Sequence, residues 1–384
     1  MELDLPPEAE AARAAVRRFL TETLDPHGHP PLDWFSRLAM AGYTAPHWPP
    51  PWGLGASPAE QLVIDAELRV ARVRRPENPI GIGWAGPTLV LAGTGEQQQR
   101  WLPGLLDGSE IWCQLFSEPG AGSDLAALST AAVRDGDEWV VNGQKIWTSL
   151  ARQARYGILL ARTDPAASRH EGISYFVLDM HSPGIDIRPI RQMDGGASFN
   201  EVFLDDVRIP AENLIGAEGD GWRLARVTLG NERVALSEEG ALWGRGPTVK
   251  VLVDALRAGG RPLDPLSRQR VAAIFIEGEI LRILRLRTVA ALIRQPKAGA
   301  EPGPEASVRK ALADQHGQRL FELAVDLCGP DGLLTQENPP QLPGGFPWVM
   351  GFLFSPALTI GGGTSEVQRN IIAERVLGLP RDPA

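Results

Sequence analysis

Twice along its 384 residues this chain changes the period of its apolar pattern, and that change limits the fold more than any other feature. Up to about residue 110 the pattern is helical. Pro6 and Pro7 precede a run in which Val16, Phe19 and Leu20 share one helical face. "SPAE" (Ser57 to Glu60) has the form of a capping box with Pro at the first helical position. "TGEQ" (Thr94 to Gln97) opens another helix, which "WLPGLL" closes. From about 111 to 218 the segments "STAAV", "EWVV", "KIWTS", "YGILLA", "ISYFVL" and "EVFL" are β-branched or aromatic, with "RDGD" and "VNGQ" as hairpin signals between them. Strand follows strand with no helix between. That predicts an antiparallel sheet, a barrel or sandwich, rather than a doubly wound one. From 219 to 384 the pattern is helical again. "GWRLARVTLGNERVALSEEGALW", "QRVAAIFIEGEILRILRLRTVAALI" and "PEASVRKALADQHGQRLFELAVDLCGP" are long helices, and "SEVQRNIIAERVLGL" is a shorter one. Gly329 followed by Pro330 stops the third, and "QPKAGAEPGPEA" is a linker. The chain is thus α+β and multidomain, with expected domains 1–110, 111–218 and 219–384.

Composition narrows the function classes. The formal net charge is −9, which disfavours non-specific binding to nucleic acid or an anionic membrane. Cys113 and Cys328 form no C-x-x-C, so neither a disulfide framework nor a structural zinc is expected. The first residues are acidic and then amphipathic, unlike a signal peptide. No stretch is long and apolar enough to span a bilayer, and a cytoplasmic location is expected. The six histidines form no metal-binding cluster. "GIGWAG" (Gly81 to Gly86) satisfies G-x-G-x-x-G, but "RRPENP" precedes it where a strand is needed. Tight helix packing or a loop is expected there.

"CQLFSEPGAGSD" (Cys113 to Asp124) is more specific. A strand runs into Ser117, then a Pro-Gly-Ala-Gly turn, then Ser123 and Asp124. Small residues such as Gly122 let backbone N–H groups approach a ligand, and the two serines can donate to carbonyl or phosphate oxygens. A plain β-turn is the alternative. The wider stretch "LFSEPGAGSDLAAL", then "DGDEWVVNGQKIWTS", resembles the acyl-CoA dehydrogenase signature. "FNEVFLDDVRIPAENLIG", "EGDGWRLA" and "GGGTSEVQRNIIAERVLGLPR" extend the resemblance from about residue 5 to 380.

The resemblance implies an N-terminal α-helical domain, a central β-domain and a C-terminal four-helix bundle, with FAD between the last two. It implies Phe116 and Ser117 beside the isoalloxazine, with Ser117 donating to its N5/O4 edge. It implies Trp147 packed on the flavin, Thr148 and Ser149 beside it, and Ser123 on FAD phosphate or acyl-CoA. Thr364 and Glu366, opening the last helix, are further FAD candidates, and Arg233 a substrate contact. Electrons would leave to an electron-transfer flavoprotein, and the assembly would be a homo- or heterotetramer.

Dehydrogenating a thioester between its α and β carbons requires a base for the α proton while hydride leaves the β carbon. Many members of the family carry this Glu in a C-terminal "YEGT". Here "IGGGT" places Gly362 at that position. In the helix from Gly221, however, Trp222, Ala225, Leu229, Glu232 and Leu236 recur at three- and four-residue steps. Glu232 is the carboxylate in an apolar stripe, where burial favours its protonated form and suits a general base. "NERVAL" is similar to the helix from which the isovaleryl and long-chain branches present their Glu. The resemblance leaves Gly362 a role through its backbone N–H, donating to the thioester carbonyl, and its missing side chain leaves room for a branched or bulky acyl group.

One half of the cofactor pocket departs from the family. Its neighbour-facing "RKxFG" and "QxxGGxGF" correspond to "LRAGGRPLD" and "DLCGPDGLL". Asp326 stands where Gln is expected, which is unfavourable beside a pyrophosphate, and only Arg257 or Arg261 could serve as the Arg. This pattern resembles the heteromeric acyl-CoA dehydrogenases of bacterial steroid side-chain degradation, in which a related chain supplies what is missing. The alternatives are a catalytically silent partner subunit, or a flavin oxidase or monooxygenase on the same fold.

Overall fold

Proline at the first helical position opens α1 (Pro7–Thr23), as the apolar spacing predicts. The computed structural model describes residues 6–236, 240–242, 246–260, 262–294, 303–330 and 348–381. After α2 (Trp34–Met40), Ser57 caps α3 (Pro58–Val70): its Oγ accepts the Glu60 N–H at 3.3 Å, and Glu60 accepts the Ser57 N–H at 2.7 Å. Val16, Leu20, Trp34, Leu38, Ile64 and Leu68 pack these three helices together. "GIGWAG" is a π-turn (Gly81–Ala85) running directly into α4 (Gly86–Ala92), with no strand ahead of it. The second capping box, Thr94 with Gln97, opens α5 (Gly95–Asp107). The Gln97 amide also donates to the carbonyls of Glu212 (2.6 Å) and Leu214 (2.8 Å), tying this helix to the strand region.

Eight strands follow: β1 (Trp112–Leu115), β2 (Ala131–Asp135), β3 (Glu138–Lys145), β4 (Tyr156–Arg162), β5 (Ile173–Asp179), β6 (Ile185–Ile190), β7 (Phe199–Pro210) and β8 (Leu214–Ile215). They form one sheet in the order β6-β7-β3-β2-β4-β5-β8, with β1 on β4. "RDGD" makes the β2–β3 hairpin, with Gly136 at φ +59°. β4 and β5 are buried residue after residue, and with Trp139, Val141 and Val202 they build the main apolar cluster.

The expected antiparallel pairing holds through most of the sheet, with an exception where β1 and β2 run parallel to β4. A parallel pair needs a crossover connection, and here the β2–β3 hairpin and its flanking turns take the place of a helix. "VNGQ" is not a turn but lies within β3, where the register against β7 shifts between Val141 and Gly143. A Cβ on Gly143 would lie 2.8 Å from the Thr130 Cα, so the glycine marks a close backbone approach. "KIWTS" is not a continuous strand, since β3 stops at Lys145 and Trp147 takes a left-handed φ of +62°.

The C-terminal region carries α6 (Gly221–Leu236), α7 (Val249–Gly259), α8 (Pro265–Arg294), α9 (Glu305–Cys328), α10 (Trp348–Phe354) and α11 (Ser365–Ile371). The helix expected from Gly221 to Trp243 is shorter: Gly240–Leu242 are outside any helix. Helix α7 was not expected. Residues 295–302 of the expected linker lie outside the described residues. Leu252, Ile274, Leu320, Phe321 and Trp348 form this region's core. Two compact units result: one is Met1–Ile190, Ala197–Thr228 and Ala291–Ala298, the other Arg191–Gly196, Leu229–Ala290 and Gly299–Ala384. Among the described residues no helix is long and apolar enough to cross a membrane.

Candidate active site

In the first unit the polar motif folds into a short hairpin. Glu118 and Ala121 exchange both backbone hydrogen bonds at 3.0 Å across Pro119-Gly120. Behind it, Lys145 is fully buried and donates to Glu118 Oε1 (2.8 Å) and to the Phe116 carbonyl (3.1 Å). Glu118 also accepts from the Ser129 N–H and hydroxyl and from the Thr130 N–H, at 2.7 to 2.9 Å. Burial works to raise the Glu118 pKa, but the Lys145 ammonium and these donors outweigh it and hold the carboxyl down at about 2. Sequence reasoning missed this pair. The signal was two charges in otherwise small and apolar stretches, "FSEPG" and "GQKIW", 27 residues apart.

Opposite the hairpin, the Ile146 N–H donates to the Ser117 carbonyl at 2.9 Å, and Thr148 pairs with Asn200 through both backbone groups. Between these anchors the Trp147 ring is 57% exposed and meets Phe199 edge-on at 6.1 Å. A left-handed non-glycine residue carrying an exposed indole is strained and unshielded at once, as at sites completed by a ligand. Thr148 is buried, and its Oγ1 has no partner among the described residues. Ser117 and Ser149 are partly exposed, while Gly122 and Ser123 are exposed. A Cβ on Gly122 would meet nothing within 4 Å, so the backbone is open to a ligand. Phe116 is instead buried edge-on against Tyr175, at 5.9 Å. An exposed aromatic, part-exposed hydroxyls and open glycine backbone suit a planar group with polar edges.

Helix α6 is anchored in the first unit at Thr228, whose hydroxyl meets Thr88 Oγ1 (2.8 Å) and Tyr175 Oη (3.1 Å). One turn later, in the second unit, Glu232 is 6% exposed. Of the expected stripe, Ala225 is buried, while Trp222 and Leu229 are half-buried. The side chains of Arg233 and Leu236 lie outside the described residues.

The second unit also holds the glycine loop. Gly362 and Gly363 take φ of +66° and +91°, a left-handed pair that side chains disfavour. Thr364 caps α11, its Oγ1 accepting the Val367 N–H at 3.3 Å, and Glu366 is exposed with Arg369 Nη1 at 3.7 Å. Asp326 is exposed and bound to Arg270 at 2.6 Å. Arg257, with Lys250, Arg282 and Arg285, lines a cleft of about 490 Å³, and Arg261 lies outside the described residues. Among the described residues no three His, Cys, Asp or Glu side chains are placed to hold a metal.

Comparison with known proteins follows the same division. Residues 6–109, 113–207 and 219–377 match the N-terminal, middle and C-terminal domains of acyl-CoA dehydrogenases. Acyl-CoA dehydrogenase FadE34 of Mycobacterium tuberculosis is 46% identical over 90% of this chain, which spans about half (46%) of that protein's length. Acyl-CoA dehydrogenase IpdE1 of the same organism is 43% identical, over 91% of this chain and 88% of IpdE1. Among solved structures, the Tcur3481-Tcur3483 steroid ACAD is similar with a TM-score of 0.80 and 30% identity, covering both chains completely. The order of helices, sheet and helices agrees with these likenesses, and the chain belongs to the acyl-CoA dehydrogenase family of flavin-dependent oxidoreductases.

Proposed function

We propose that this chain is an FAD-dependent dehydrogenase that converts an acyl-CoA thioester to its trans-2-enoyl-CoA, with Glu232 as general base. One observation carries the reading: Glu232 is a buried carboxylate on α6 in a chain with Gly362 at the family's usual Glu position. When bound, FAD supplies the hydride acceptor at N5. Trp147 covers the flavin and excludes water, while Ser117 and Ser149 grip its polar edge. Thr148 and Phe116 support this strip from the buried side. Gly122 and Ser123 offer backbone and hydroxyl donors to phosphate or CoA. Thr364, whose hydroxyl hydrogen is free to donate while its oxygen caps α11, and Glu366 contact FAD. Glu232 takes the α proton, and the Gly362 N–H steadies the charge that develops on the thioester oxygen. Arg233 contacts the substrate.

We read 1–110, 111–218 and 219–384 as the working domains and the cytoplasm as the location. The acyl group is bulky or branched, of the steroid side-chain class; 30% identity to a steroid ACAD and the side-chain-free Gly362 support this. A second, related chain completes the oligomer. Asp326 in place of the family's Gln supports that. An electron-transfer flavoprotein accepts the electrons.

The flavin-loaded protein, alone and with a related chain, should be titrated anaerobically with acyl-CoAs from short straight to steroid-sized. Bleaching by the bulky members is expected. Preference for short straight chains would overturn the substrate class, and a colourless chain in both preparations would favour a silent subunit. Trp147→Ala should weaken FAD retention about tenfold, or ~1.4 kcal/mol, read by fluorescence of released flavin.

A further inference from the structure

The Gly362 turn is held by side chains that nothing in the motif comparison assigns. Gln368 is fully buried on α11, and its Nε2 donates to the carbonyls of Gly362 (3.2 Å) and Gly363 (3.1 Å). With two carbonyl oxygens in front of it, the atom facing the turn must be the nitrogen. The Gln368 Oε1 has no partner among the described residues, so both strong contacts of this side chain go to the turn. A Cβ on Gly363 would lie 2.7 Å from Nε2, which accounts for glycine there.

The upstream side is tied as well. The Gly361 N–H donates to the Ala357 carbonyl at 2.9 Å. Lys310, fully buried and paired with Asp314 at 2.6 Å, reaches the Leu358 carbonyl at 3.4 Å. Gln318 donates to the Ser355 carbonyl (3.2 Å) and to Thr359 Oγ1 (3.1 Å). Peptide units are planar, so each held N–H or carbonyl fixes a whole plane. The plane carrying the Gly362 N–H is flanked by two held ones: the plane of the Gly361 N–H before it and of the Gly362 carbonyl after it. That N–H has no acceptor among the described residues, so its direction is fixed while its bond is unspent.

We propose that Gln368 is a positioning residue: by clamping the Gly362 and Gly363 carbonyls it aims the Gly362 N–H at the thioester oxygen. The proposal rests on the reading of Gly362 as the carbonyl's donor. A donor aimed before substrate arrives needs no reorganisation during reaction, and a misplacement of about 1 Å can cost about 10²-fold in rate. The amide does this without contributing charge. A carboxylate in its place would repel both carbonyls, and a thioether would leave them unpaired.

The test uses the flavin-loaded enzyme with an acyl-CoA labelled with carbon-13 at the thioester carbonyl. Infrared difference spectra report how strongly that carbonyl is polarised when bound. The wild type should shift the band to lower frequency, and both Gln368→Glu and Gln368→Met should lose most of that shift. In both, kcat should fall about 10- to 100-fold while KM stays near the wild-type value. Flavin content equal to wild type shows that the variants fold. No shift in the wild type would remove the reading of Gly362 and this proposal with it. A wild-type shift that both variants retain would overturn the clamp alone.

Discussion

Glu232→Gln should lower kcat by about 10²- to 10⁴-fold and leave KM nearly unchanged. The amide has nearly the shape of the carboxylate, so packing around α6 is kept while the proton acceptor is removed. The residue is buried on α6, so the exchange of carboxylate for amide takes place away from bulk solvent. Flavin content and the visible spectrum should be unaltered, because the residues proposed to hold FAD near Trp147 belong to a different part of the chain. Steady-state rates with an artificial electron acceptor give the measurement. A variant with more than a tenth of wild-type kcat would remove Glu232 from the chemistry. Gly362→Glu should not restore activity to Glu232→Gln, because φ at that position is +66° and the new side chain would displace the turn.

Lys145→Met should destabilise the protein by about 3–5 kcal/mol, since it leaves Glu118 buried without its cation. Glu118→Gln combined with Lys145→Met should recover part of that loss, because two neutral groups carry no unpaired charge. Urea unfolding followed by tryptophan fluorescence gives the values. The pH dependence has a definite sign. The folded pKa of Glu118 is lowered to about 2, against an ordinary carboxylate value of about 4.3. Its contribution is therefore fully present above the unfolded value and is lost as pH falls from about 4.3 towards 2. Glu118→Gln should remove that acid-side slope. Loss of the pair should also loosen the Phe116 carbonyl and the hairpin beside Trp147, so FAD retention should fall along with stability. Full stability in Lys145→Met would contradict this account of the hairpin.

Local signals in the sequence translated well into structure. The capping boxes at Ser57 and Thr94 formed as their residues require, and the Gly136 hairpin joined β2 to β3. The burial of Glu232 on α6 was legible because the residue interrupted an apolar period. Features that depend on distant neighbours were not. Gly143 looked like a turn because the approach of Thr130 that explains it comes from a distant residue just ahead of β2. Trp147 looked like a strand residue, since nothing local announces a left-handed backbone between anchors to Ser117 and Asn200. Glu118 and Lys145 are each unremarkable polar residues until the chain brings them to 2.8 Å. Helix α7 was hidden by the Gly- and Pro-rich stretches on either side of it. The Gln368 clamp was also invisible, because its partners are carbonyls that every residue possesses.

Proton abstraction can be separated from hydride transfer with an acyl-CoA whose β carbon bears no hydrogen. Such a ligand can lose its α proton but cannot reduce flavin. Incubated in deuterium oxide with the flavin-loaded enzyme, it should gain deuterium at the α carbon with wild type, as seen by mass spectrometry. With Glu232→Gln the exchange should fall to the uncatalysed rate. Exchange at the wild-type rate in that variant would show that another group removes the proton.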